Sequence, residues 1–276
     1  MPMAIHRSRN TVRAVRRSPR QHAARYAAPA LAKGLDILEL FASESAGLTT
    51  SEVARGLGRT IGEIFRMLVC LEARGYISQA PKDERFELTL KLFELSHRHP
   101  PLQRLVAEAR PLMEAVARKT GQSCHLAMLS DGEVIVVAQV DAPGTAGFAV
   151  KLGARIDLLN TASGHLILAF QEPATCARSL AEWKKRSGQP LPRALEEHLT
   201  RIRKRGYEET PSYQVRGVKN IAFPVVSEHG EAIAALSVPF LARIGDPITA
   251  NDVKAALRIA SRKLSGAVGG TKAEQT

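Results

Sequence analysis

The sequence contains no apolar run approaching the roughly 20 residues that a membrane-spanning helix needs. Its basic N-terminus has no apolar core segment, so it is not read as a secretory signal, and a cytoplasmic location is expected. Cysteine is scarce: Cys70, Cys124 and Cys176 stand alone, with no CxxC pair among them. A zinc knuckle and a disulfide framework are thereby excluded, and a reducing compartment fits. No Walker loop and no GxSxG elbow occurs, so nucleotide hydrolysis and serine-hydrolase chemistry lack their motifs. Cys124 and His125 are neighbours on an expected strand and point to opposite faces, which rules out a thiolate–imidazole pair. His97 and His99 flank a helix end with no third ligand close by. No catalytic residue, metal ligand set or cofactor is read from the sequence, and no internal repeat is visible.

What is present is a chain of 276 residues, long enough for two domains. Apolar residues make up 45% and charged residues 24%, as in ordinary globular proteins. The net charge is +12 and is unevenly spread. Residues 1–26 carry seven arginines and no acid, residues 27–80 sum to −1, and the rest to +6. A basic total suits a polyanionic partner. Two readings of residues 1–26 stand side by side: a disordered tail or misassigned start, and an arm that touches phosphates.

From Pro29 onward, Leu31, Leu35, Leu38 and Phe41 recur at helical spacing. Thr49 with Glu52 forms a capping box that opens a short helix from Thr50 to Arg55. Gly56-Leu57-Gly58 ends it. Thr60 with Glu63 is a second capping box, opening a longer helix with Ile64, Leu68 and Leu71 on one face. Two capped helices joined by a short glycine-containing turn make the helix-turn-helix pattern. Tyr76–Gln79 and Phe86–Leu90, separated by a polar turn, read as a wing. After a break at His97–Pro101, a helix to Lys119 is expected to connect the domains, kinked at Pro111.

Beyond Gln122 the pattern is that of hairpins with helices between them. Leu126–Leu129 and Val134–Val140 flank an Asp131-Gly132 turn, and Phe148–Val150 is a candidate third strand. Helices are expected over 161–170, 175–186, 192–205 and 249–267, and strands over 220–226 and 232–238. The fold class is α+β.

The chain resembles the IclR family of bacterial transcriptional regulators. The resemblance rests on Leu31–Leu38, Leu48–Ala54, Ile64–Leu68 and Leu71–Ile77 in the first domain. In the second it rests on Leu159–Gly164, Arg205–Glu209, Gly217–Val225 and Ile233–Val238. It implies a winged helix-turn-helix over 28–97, a linker helix over 98–121 and a GAF-like effector domain over 122–268. Residues 1–27 and 269–276 are the tails. It also implies a dimer or a dimer of dimers, a double-stranded DNA operator and a small-molecule effector. Four departures are notable. Thr60-Ile61-Gly62-Glu63 replaces the usual start of the recognition helix, His165 stands where many members have lysine, Thr210 where aspartate is frequent, and Asn220 where cysteine is frequent.

The DNA-binding set on this reading is Thr50, Ser51, Arg59, Thr60, Gly62, Glu63, Arg66, Lys82 and Arg85. Arginine suits a guanine edge or a phosphate, and glutamate accepts from cytosine. Glu63 has an alternative role as capping partner only, and Arg66 as half of an internal ion pair. The effector set is Ala162, Ser163, Thr210, Asn220, Ser237 and Pro239. Thr161–Gly164 opens a helix, whose free N–H groups suit an anion, so an organic acid is the expected ligand. The reading from a different class is a GAF-like binding or catalytic protein whose N-terminal domain makes protein contacts.

Overall fold

The computed structural model describes residues 28–80, 83–98, 100–145 and 147–269. The basic segment 1–27, the wing residue Lys82 and residues 270–276 lie outside that set. The chain divides between Arg98 and His99 into two compact units.

The first unit holds helices α1 (Pro29–Ser43), α2 (Thr50–Gly56) and α3 (Ile61–Ala73), then hairpin strands β1 (Ile77–Gln79) and β2 (Phe86–Leu88), then helix α4 (Lys91–His97). Both capping boxes form. The Thr49 and Thr60 N–H groups donate to Glu52 and Glu63 at 2.9 and 3.1 Å, fixing where α2 and α3 start. Strands β1 and β2 pair antiparallel, Ile77 opposite Leu88 and Gln79 opposite Phe86. Phe86 also bridges to Leu48, tying the hairpin to the turn before α2. Ile37, Phe41, Val53, Ala54, Ile64, Leu68, Ile77 and Phe86 form the core.

Leu31 and Leu35 are 64% and 51% exposed, because the buried stripe of α1 is the one carrying Ile37 and Phe41. At 3.6 residues per turn, Leu35 stands about 200° around the helix from Ile37. Helix α4 was not expected, since no N-cap signal announces it and its N-cap residue Leu90 makes no side-chain capping bond.

The second unit begins with α5 (Pro100–Thr120), which continues unbroken through Pro111. Strands β3 (Cys124–Ser130), β4 (Glu133–Val140) and β5 (Arg155–Ile156) follow. Helices α6 (Ala162–Ala169), α7 (Pro173–Ser187) and α8 (Leu195–Arg205) come next, then β6 (Glu208–Pro211), β7 (Val218–Val226), β8 (Ala232–Leu241) and α9 (Ala250–Ala267). The strands form one antiparallel sheet in the order β5-β4-β3-β8-β7-β6. Asp131 and Gly132 turn the β3–β4 hairpin with φ of 47° and 73°, the two positive values a tight two-residue turn requires.

Each sheet face has its own core. On one, Cys124, Leu126, Ile221, Phe223 and Leu236 pack against Leu105, Ala109, Met113 and Val116 of α5 and Val253, Leu257 and Leu264 of α9. On the other, Ala127, Val136, Ala222 and Ala235 pack against Leu166 and Ile167 of α6, Trp183 of α7 and Leu199 and Ile202 of α8. The helix expected to connect the domains is thus a core element of the second unit. Phe148–Val150 forms no strand; the edge position belongs to β5. Strand β6 escaped the sequence reading because Glu-Glu-Thr-Pro shows no apolar alternation.

Candidate DNA interface and effector pocket

The helix-turn-helix sorts its polar side chains into those already engaged and those still free. Arg59 on the turn pairs with Asp36 of α1 at 3.2 Å. Glu63 accepts from Lys33 of α1 at 2.7 Å as well as from Thr60, and these donors, Lys33 foremost, hold its carboxyl down at about 2. Arg85 on the wing reaches Glu52 at 2.9 Å and the Gly47 carbonyl at 2.5 Å. These three sequence candidates brace the domain. Thr50 is half-buried at the start of α2, and Ser51, Thr60 and Gly62 are exposed. A Cβ on Gly62 would meet nothing within 4 Å, so that side of α3 is open. Arg66 is exposed and, among the described residues, has no ion pair or hydrogen bond.

The outward side of α3 also carries side chains the sequence reading passed over. Ile61, Phe65 and Val69 are 53%, 55% and 48% exposed and follow one another at four-residue spacing. Such a stripe lies beside Gly62, Arg66 and Cys70. Apolar groups on a groove-facing helix suit thymine methyls, as arginine suits guanine. The signal was legible: three apolar residues off the Ile64/Leu68 core face.

In the second unit, a small cavity of about 30 Å³ opens on the α6 side of the sheet. It is lined by Thr161, Ala162 and Ser163 at the start of α6, by Asn220 on β7, and by His125 and Ser237 on β3 and β8. Phe148, Val150, Ile156 and the segment 212–214 complete the wall. Ala162, Ser163, Asn220 and Ser237 are therefore brought together from three separate stretches of sequence. Thr210 and Pro239 do not line it; both sit opposite Asn220 in the ladder, one on each side. Thr161 caps α6 by accepting from the Gly164 N–H at 3.1 Å. The Ala162 and Ser163 N–H groups fall in the first turn, where the helix itself supplies no acceptor. Ser163 Oγ and Ser237 Oγ lie 2.8 Å apart.

His125 was missed as a wall residue because it was weighed only as a partner for Cys124. The two do face opposite ways: Cys124 enters the α5/α9 core, where burial raises its thiol well above the usual range. His125 faces the cavity, 4% exposed, with Nδ1 lacking a partner. A larger surface hollow of about 440 Å³ near Asp131, Arg178 and Glu182 offers no unpartnered buried side-chain atom among the described residues.

Two family models match this chain: the IclR helix-turn-helix domain over residues 30–81, and the bacterial transcriptional regulator IclR C-terminal domain over residues 102–266. The chain belongs to the IclR family. It is a helix-turn-helix transcriptional regulator with a C-terminal effector-binding domain. Among its IclR relatives, the HTH-type regulator BhcR of Paracoccus denitrificans is 31% identical over 213 residues, covering 76% of each chain. The HTH-type regulator KdgR of Escherichia coli is 28% identical over 223 residues, covering 79% of this chain and 85% of that protein. An IclR homolog from Microbacterium hydrocarbonoxydans, solved in complex with 4-hydroxybenzoate, superposes with a TM-score of 0.72 at 25% identity. That match covers 87% of this chain and 98% of the homolog. Among the described residues no helix is long and apolar enough to cross a membrane.

Burial of His125 predicts a pH dependence of stability for this IclR member. Burial pushes His125 down to about 4 from an ordinary 6.5. The unfolded chain takes up that proton as pH falls below 6.5, the folded chain only near 4. The contribution is therefore complete above pH 6.5 and is lost as pH falls towards 4. We expect the second unit to lose about 3 kcal/mol of stability from this group between pH 7 and 4. Urea titrations of wild type and His125→Gln across that range test it; parallel pH profiles would refute it.

Proposed function

We propose that this regulator reads its operator through the outward face of α3 and binds a small carboxylate in the α6 cavity, as a dimer or dimer of dimers in the cytoplasm. We read it as a sensor with no catalytic role. On the DNA side, Arg66 supplies the base-edge cation, flanked by Ile61, Phe65 and Gly62, with Ser51 and Thr60 directed at phosphates. Lys82, outside the described residues, joins them as a wing contact.

The observation that carries the ligand assignment is the convergence in one cavity of neutral hydrogen-bonding groups. These are the first-turn N–H groups of Ala162 and Ser163, the Asn220 amide, the paired Ser163 and Ser237 hydroxyls and the buried His125. No lysine or arginine lines it. N–H groups at a helix start stabilise a carboxylate without a buried counter-ion. The apolar wall of Phe148, Val150 and Ile156 suits a ring or short alkyl body. The bound 4-hydroxybenzoate of the solved homolog is a ligand of this chemical kind. The present cavity has roughly the volume one water occupies in the liquid. Admitting such an acid requires the half-exposed Tyr213 and its neighbours in 212–214 to move outward.

The test has two arms. Gel-shift and anisotropy with selected DNA sequences read operator binding; a set of aromatic and aliphatic acids, with matched amides and amines, is screened for a change in melting temperature and in DNA affinity. We expect acids alone to act on both. Asn220→Leu, at a half-buried position, should cut acid affinity at least tenfold while leaving DNA affinity of the free protein unchanged. Stabilisation by amines or neutral amides only, or an unaltered acid response in Asn220→Leu, would sink the carboxylate reading. Absence of DNA retardation at any salt concentration would turn the assignment towards a binding protein whose first domain makes protein contacts.

A further inference from the structure

Beside the cavity, and not lining it, three side chains from three elements meet on the same side of the sheet. They are His165 on α6, His198 on α8 and Glu208 on β6. One ligating atom from each lies within 4.8 Å of the others. The two imidazoles meet edge to face with centroids 4.7 Å apart, and His198 Nε2 stands 3.2 Å from Glu208 Oε2. Glu208 is 1% exposed. Buried polar atoms nearly always have hydrogen-bond partners. Here three in one cluster, His165 Nδ1, His198 Nε2 and Glu208 Oε2, lack a well-aligned hydrogen bond, although Glu208 Oε2 stands within ion-pair distance of His198 and Arg205. Arg205 Nη2 comes within 2.7 Å of that carboxylate oxygen without hydrogen-bond alignment, and its Nε is spent on the Tyr207 carbonyl at 2.6 Å.

We propose that His165, His198 and Glu208 bind one divalent first-row metal ion of the zinc class. Two imidazoles and a carboxylate are a ligand set such ions take, and three protein ligands leave a fourth position open to water. An ion at this point would be shared by one nitrogen of each imidazole and the buried carboxylate. Arg205 is then displaced from Glu208; its side chain is partly exposed and can turn to solvent. The ion would be held in part by α6, whose first turn also lines the effector cavity. Ser163, two residues before His165 on α6, lines that cavity, and Glu208 lies in one ladder row with Ala222 and Ser237. Two strand spacings separate Glu208 from Ser237, about 10 Å. This inference stands independently of the carboxylate reading, since neither ligand set includes a residue of the other.

The experiment uses the full chain stripped with chelator and titrated with zinc chloride by calorimetry. We expect one ion per chain, and at least a tenfold loss of affinity in His165→Gln and in His198→Gln. The position is read directly on wild type, from an anomalous difference map of zinc-soaked crystals. That measurement holds even if the histidine variants fail to fold. A peak between the two imidazoles and Glu208 supports the site. No binding to wild type, equal affinity in both folded variants, or a peak elsewhere overturns it.

Discussion

Gly164→Ala should destabilise the effector domain by about 3 kcal/mol or more, at the upper end of the cost of overpacking a core. A Cβ at this position would stand 2.1 Å from the Leu158 carbonyl oxygen and 2.7 and 2.8 Å from its carbonyl carbon and Cα. Those are backbone atoms, so no rotamer change relieves the clash. The segment cannot easily retreat. Asp157 holds it through the Leu159 N–H at 2.8 Å, the Trp183 indole at 2.9 Å and, from its carbonyl, the Thr161 hydroxyl at 2.7 Å. Alanine is the better helix former by about 1 kcal/mol, but that gain is smaller than the steric cost. Trp183 is the sole tryptophan and lies in this unit, so its fluorescence in urea follows this unit. Gly266→Ala in α9, where a Cβ meets nothing within 4 Å, is the control and should be neutral or stabilising. A Gly164→Ala protein as stable as wild type would show that α6 does not approach Leu158 this closely.

Arg66→Ala should weaken operator binding by about 1–3 kcal/mol, roughly 5- to 150-fold, and relax one operator position. The expectation rests on a process of commitment within the domain. Arg59 is held by Asp36, Arg85 by Glu52 and Gly47, and Glu63 by Lys33 and Thr60. Arg66 has no such engagement among the described residues and stands on the exposed side of α3, between Gly62 and Cys70 at four-residue steps. Removing it leaves the core intact, so stability should change by no more than about 0.5 kcal/mol. Anisotropy against the selected operator and its single-base variants distinguishes a base contact from a phosphate contact. A base contact alters the ranking of the variants; a phosphate contact lowers all affinities together and flattens the salt dependence. Equal affinity and equal ranking would remove Arg66 from the interface.

Much of the fold was legible because its signals are local. A capping box is complete within four residues, so Thr49–Glu52, Thr60–Glu63 and Thr249–Asp252 announced the starts of α2, α3 and α9. The Asp131-Gly132 turn and the two apolar strands beside it specified a hairpin by the same short-range logic. Part of the candidate pocket's wall was legible too. The small residues Ala162 and Ser163 at a helix start, with Asn220 and Ser237 on strands, do line one cavity.

The sequence by itself determined where most helices begin, that a winged helix-turn-helix precedes an α+β domain, and which family's pattern the chain carries. Tertiary structure alone decided the partners. Lys33 meets Glu63 across 30 residues, Asp36 meets Arg59 across 23 and Glu52 meets Arg85 across 33, so three of the candidate DNA contacts are also engaged within the domain. It placed His125 and residues 212–214 around the cavity, and moved Thr210 and Pro239 to the row beside it. It also drew His165, His198 and Glu208 together, in a chain whose sequence shows no metal-ligand spacing. The reason is one of range. Caps and turns are decided by atoms a few residues apart, whose geometry the backbone dictates. Ion pairs, pocket walls and ligand sets depend on which faces the packed cores bring into register, and no short stretch of sequence contains that information.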